Sequence, residues 1–200
     1  MSELVAFVSL GVRHIVNADA ADHILFLLAL AAIYRPRDWR QALWVVTAFT
    51  VGHSITLALA VTNALVLSTD WIEFLIPVTI VATGIENLLV RDRAKPLWGR
   101  RYRPVFSGVF GLVHGAGFAN YLRSLFVDRV AVPLLGFNIG IELGQVLVLI
   151  AAALVFVAAD RGLEHVWRSA RTSALRVRVV GVSIVVILFA SRWAVERAPW

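Results

Sequence analysis

Residues 41–66, QALWVVTAFTVGHSITLALAVTNALV, contain no aspartate, glutamate, lysine or arginine, yet carry a histidine at position 53. A helix needs about 20 mainly apolar residues to cross the hydrocarbon core of a bilayer. The run therefore reads as a membrane span with an ionisable group, His53, near its middle. Such groups cost about 3 kcal/mol or more at that depth and are seldom found there without a partner and a function. One stretch thus carries both a fold class and a functional signal.

Outward from it, further apolar segments follow at 3–17, 22–35, 71–90, 105–127, 132–159 and 175–197. The chain is 60% hydrophobic and only 16% charged, against nearly half apolar and a quarter charged in soluble domains. The expectation is an all-α, polytopic transmembrane bundle of about seven helices, with 1–200 a single integral membrane domain. The first two segments are short and separated by the polar break Asn17-Ala-Asp-Ala-Ala-Asp22, so a re-entrant or tilted hairpin is expected there. The N-terminus, MSELVAFVSLGVRHIV, has no basic leader and no small-residue cleavage site, and reads as a retained helix.

Basic residues gather in three connections. Arg35, Arg37 and Arg40 form one, Arg91, Arg93, Lys95, Arg100, Arg101 and Arg103 the second, and Arg161, Arg168, Arg171, Arg176 and Arg178 the third. The alternating connections hold Asp19, Asp70 and Asp128 against Arg129 alone. The positive-inside rule then gives seven crossings, N-terminus in the cytoplasm and C-terminus outside. It also accounts for the net charge of +6 without nucleic acid, which is excluded as a partner. Trp71, Trp98, Trp167, Trp193 and Trp200 fall near span ends, where amphipathic rings settle at the headgroups.

Four of the five histidines, His14, His23, His53 and His114, lie in or beside apolar segments, together with Asp22, Glu86 and Glu142. Neutral imidazole and ionised carboxylate together suit nickel, cobalt, zinc, iron or manganese. Cysteine is absent and the sole methionine is the first residue, so thiolate and thioether sites are excluded. Each group also has an ordinary reading. Asp22 can cap a helix, and a protonated Glu86 or Glu142 can bridge helices through Asn87, Asn138 or Gln145. The glycines around His114 can be simple close packing. Seven such groups on six spans favour a shared divalent metal ion. Along a seven-crossing path, His14, Asp22, His23 and Glu142 fall in the outer half, His53 centrally, and His114 and Glu86 lower, which describes a pathway as well as a site. Phe49-Thr-Val-Gly-His53 and Phe110-Gly-Leu-Val-His114 echo each other, and each precedes a span carrying Gly-Ile-Glu, at Glu86 and Glu142. Two helices per unit would make this a parallel repeat.

In order along the chain, Gly11-Val-Arg-His14-Ile15, Asp22-His23-Ile-Leu-Phe-Leu-Leu28, Phe49-Thr-Val-Gly-His53-Ser54, Phe110-Gly-Leu-Val-His114-Gly115 and Phe137-Asn-Ile-Gly-Ile-Glu142 resemble the HupE/UreJ family of hydrogenase and urease accessory membrane proteins. The resemblance implies a small polytopic protein of the bacterial cytoplasmic membrane, a permease for nickel or cobalt. Its metal ligands would fall on His14, Asp22, His23, His53, His114 and Glu142, and on Glu86. The chain departs from the family pattern at Asn17–Ala21, which is longer and lacks a glycine, making Asp19 a candidate substitute ligand. The alternative is an intramembrane zinc or iron hydrolase acting on a membrane-embedded substrate; a third reading is a pH sensor or structural subunit. Partners implied are the metal ion and the lipid bilayer, with homo-oligomers and accessory proteins left open.

Overall fold

The structure, a computed structural model, describes residues 2–17, 20–90, 102–125, 130–166 and 173–200. Asp19, Trp98, Trp167, Asp128, Arg129, Arg168, Arg171 and the charges at 91–101 lie outside them. The described residues form seven α-helices: α1 (Glu3–Val16), α2 (Ala21–Ala31), α3 (Trp39–Val61), α4 (Thr69–Leu89), α5 (Tyr102–Leu125), α6 (Ala131–Val166) and α7 (Ala174–Glu196). They match the seven apolar segments, and the chain is a multi-pass, all-helical membrane protein. Helices α3, α4, α6 and α7 are each long and apolar enough to cross a bilayer, and α1 with α2 qualify jointly as a bent pair.

Glycines set the helix pairing. A side chain at Gly111 or Gly115 of α5 would collide with the carbonyl oxygens of Phe49 and His53 on α3, and one at Gly52 with that of Gly108. Ser107 adds a hydrogen bond to the Val45 carbonyl at 2.8 Å. Residues 45–53 and 107–115 thus rise together, so α3 and α5 run parallel. Gly11 and Gly140 likewise bring α1 against α6, with Gly136 beside Leu4 and Gly144 beside Ile15; this pair is also parallel. Between helices in lipid no hydrophobic force is available, so such backbone approach supplies the van der Waals contact that holds them. Helix α7 runs antiparallel to α4: Ile187 covers Gly84, Arg176 donates to the Leu88 carbonyl at 3.1 Å, and Trp200 packs on Phe74.

These directions change the expected path. With α1 parallel to α6, the start of α1 lies at the end of the bundle that holds the start of α6 and the close of α7. Helix α2 continues at 70° to α1, and its last turn reaches the other end. There the Ala29 carbonyl accepts from Asn87 at 2.7 Å, and the Ala32 and Tyr34 carbonyls accept from Arg178 at 3.0 and 2.9 Å. The first two helices therefore form one broken crossing, not a hairpin. Among the described residues the helix directions give six passes through the bundle in place of seven, five of them by segments apolar enough to cross a membrane, and Ser2 and Trp200 lie at the same end. Arg35, Arg103, Arg176 and Arg178 gather at the opposite, basic end, as the loop charges require.

The basic end is tied by charge. Arg178, 6% exposed, pairs with Asp160 at 2.6 Å. Arg103 holds Glu86 at 2.7 Å, and Tyr102 donates to the same carboxylate. Trp39 and Trp44, both exposed, flank the start of α3 at this end, while Trp71 and Trp200 associate at the other.

Two outcomes follow. Gly111→Leu forces α5 off α3 and is expected to destabilise the protein by about 3 kcal/mol, the upper range for overpacking, read as a lower unfolding temperature in detergent. Because the chain has no cysteine, single cysteines report sidedness cleanly. Ser2→Cys and Trp200→Cys are expected to react with impermeant maleimide from one face, and Arg37→Cys from the other; opposite labelling of the two termini would restore the seven-crossing path.

Candidate metal centre

Asn17 and Ala20, on either side of the break between α1 and α2, line a cavity, with His14 before the break and Asp22-His23 after it. Interrupted helices leave backbone carbonyls and N–H groups without intrahelical partners. The closing turn of α1 presents the negative pole of its dipole, which favours a cation, and Asp22 offsets the positive pole of α2. Asp22 is not the cap residue of α2; Ala20 holds that place with no side-chain bond.

Around this break four imidazoles converge. Centred on His23, ring centroids lie 4.7 Å away at His14, 5.3 Å at His114 and 6.3 Å at His53. His14, His23 and His53 each offer a nitrogen, and the three nitrogens lie within 4.8 Å of one another. Bonds of 2.0–2.1 Å in a tetrahedral site put ligand nitrogens roughly 3.3 Å apart. The rings therefore need a small inward rotation to share an ion. Helices α3 and α5 bring His53 and His114 to the same level because their glycines lock them in parallel register.

Hydrogen bonds fix which nitrogens are available. Asp22 Oδ1 accepts from His23 Nδ1 at 3.0 Å and from the His23 backbone N–H at 2.8 Å. This places the proton on Nδ1 and leaves the Nε2 lone pair free. Thr79 donates its hydroxyl proton to the Ile76 carbonyl at 2.7 Å, so at 3.1 Å its oxygen is the acceptor for His114 Nε2–H. His114 Nδ1 then carries the lone pair. Nε2 of His14 and His23, both nitrogens of His53 and Nδ1 of His114 are buried with no hydrogen-bond partner. Buried polar atoms almost always find one, so this concentration of orphaned lone pairs on one cluster calls for a ligand. A carboxylate or hydroxyl on the remote nitrogen is the usual support of a metal-bound histidine.

The seven candidate residues separate. His14, His23, His53 and His114 come together, with Asp22 bonded through His23. They share a level because the first crossing is broken, not folded back. Glu142 lies outside the triad and accepts from Thr47 at 2.8 Å, beside a Thr50–Gln145 bond of the same length. Thr47 and Thr50 precede His53 on α3, so these pairs lie towards the basic end. Glu86 does not approach the imidazoles; it is engaged by Arg103 and Tyr102. The two Gly-Ile-Glu carboxylates of the internal echo therefore occupy unlike places. Thr79 escaped the sequence reading, since one threonine in an apolar helix carries no signal until His114 is known to face it.

Phe118 packs against His14 at a 38° tilt with centroids 3.9 Å apart and lies parallel to Phe137 at 5.2 Å. A cavity of about 590 Å³ reaches the cluster from the terminal end of the bundle, its wall including His14, Asp22, His23 and His114.

Loss of either support, Asp22→Asn or Thr79→Val, is expected to weaken metal binding about 10- to 100-fold without abolishing it, as measured by calorimetry on detergent-solubilised protein. Unchanged affinity in both variants would remove the tautomer argument.

No curated protein and no solved structure matches the chain. The family model for HupE / UreJ proteins matches residues 1–197. With nearly its whole length matched, and with the motif histidines gathered at the break in the first crossing, the chain belongs to the HupE / UreJ protein family.

Proposed function

We propose that the protein transports a divalent transition metal, nickel or cobalt by its family resemblance, across the bacterial cytoplasmic membrane. Residues 1–200 act as one integral membrane domain, with the basic loops cytoplasmic and both termini outside. The observation that carries this reading is the set of partnerless imidazole nitrogens at the helix break. Neutral nitrogen donors match borderline dications, and the binding free energy offsets the cost of burying them.

In this reading the ion arrives through the cavity from the outer side. His14 and His23 receive it at the break, and His53 and His114 complete its coordination. The Thr50–Gln145 and Thr47–Glu142 pairs supply the next polar groups towards the cytoplasm. Glu86 acts at the cytoplasmic end as the counter-charge of Arg103 and not as a ligand. Metal and protons compete for imidazole and carboxylate, so a proton gradient can drive release. The hydrolase alternative needs a free carboxylate beside the metal as general base. Asp22, the one carboxylate bonded to the cluster among the described residues, already takes two hydrogen bonds from His23.

Reconstituted liposomes and radioactive nickel test the reading. His53→Ala and His23→Ala are expected to cut uptake at least tenfold while leaving the unfolding temperature near that of the parent. Uptake retained in both variants, or absent from the parent with nickel and with cobalt, would overturn it.

A further inference from the structure

The cavity above the cluster is larger, and differently charged, than a free ion needs. Six waters at about 30 Å³ each give a hydrated dication roughly 180 Å³, well under the 590 Å³ present. A volume of this order is usual for small organic ligands. Two arginines, Arg13 and Arg197, line the same cavity, with Glu73 as the single carboxylate besides Asp22 among the described residues. Pathways for bare cations are lined by acids, and arginine linings serve anions.

Charge balance at the cluster points the same way. The imidazoles are neutral donors, and Asp22 is the only carboxylate bonded to any of them among the described residues. A dication bound there keeps one positive charge without a counter-charge, and His23, His53 and His114 are 5%, 0% and 1% exposed. A buried charge without a partner is strongly unfavourable. An anionic co-ligand supplies the missing charge, and guanidinium groups are the side chains that hold carboxylates in bidentate fashion. Arg13 directly precedes His14, and Arg197 closes α7, so both stand on elements that reach the mouth.

We propose that the cavity takes the metal as a complex with a small anionic carboxylate chelator, its carboxylates held by Arg13 and Arg197 while the histidine cluster holds the metal. This rests on the transport reading above and names the form of its substrate.

Full-length protein in nanodiscs, at dialysis equilibrium, tests it with three additions: radioactive nickel alone, nickel with carbon-14 citrate or malate, and the labelled carboxylates alone. Expected is retention of one of the carboxylates together with nickel, near one to one, and little retention without nickel. The retained carboxylate-to-nickel ratio is expected to fall at least tenfold in the R13Q/R197Q double variant. The proposal is overturned if both carboxylates merely strip nickel from the protein with no label kept, or if the ratio is the same in the double variant. Nickel retained alone but stripped by carboxylate leaves the transport reading standing. No nickel retained in any arm sinks both.

Discussion

The bundle is arranged around one discontinuity, the 70° change of direction between α1 and α2. Non-helical backbone at membrane depth is tolerated only where protein or a water-filled cavity covers it. Here Asn17 and Ala20, the described residues on either side of the break, line the cavity together with His14, Asp22, His23 and His114. The four imidazoles meet there with several buried nitrogens that have no hydrogen-bond partner.

The break stays in place because the half-helices are anchored at their far ends. Helix α1 is fixed along its length by interlocking glycines of α6, and the last carbonyls of α2 are taken by Asn87 and Arg178. Arg178 is in turn paired with Asp160, and Asn87 sits beside the Glu86–Arg103 pair. The charges at the basic end therefore set where Asp22 and His23 arrive, although none of them touches the cluster. Glu86 has its explanation here as the partner of Arg103, in a largely buried ion pair where each charge offsets the burial of the other.

Much of this was legible in the sequence. Apolar length and loop charge identified the seven helices, and the rarity of intramembrane histidine identified His14, His23, His53 and His114. What was not legible was direction and level. A 14-residue helix followed by an 11-residue helix reads equally as a hairpin or as one interrupted crossing, and loop charge does not separate them because the N-terminus carries almost none. Helix α5 was read from its apolar length like the others, and its glycines gave no hint that its partner is α3, in parallel. The level of each histidine depends on these two facts, so the sequence dispersed along a pathway what the fold gathers at one depth.

Parallel pairing of α3 with α5 has a consequence for how the site works. The carbonyls of Phe49 and His53 lie directly against Gly111 and Gly115, so the backbone bearing His53 cannot slide relative to the backbone bearing His114. Their imidazoles form a rigid pair. His14 sits on α1, which is packed along its length on α6, and His23 on α2, which is held by its last carbonyls. Drawing the nitrogens, which lie within 4.8 Å of one another, around one ion therefore falls mainly to α2 and to rotation of the rings. Small movements at a hinge between packed elements are how bundles convert local binding into a change of access. His14, His23 and His114 border the cavity, while His53 stands on α3 above Thr47 and Thr50 of the polar seam. An ion drawing His23 inward would thus shift α2 against the fixed α1, α3 and α5, so that closure at the site is carried by one element of the bundle and not by all of them.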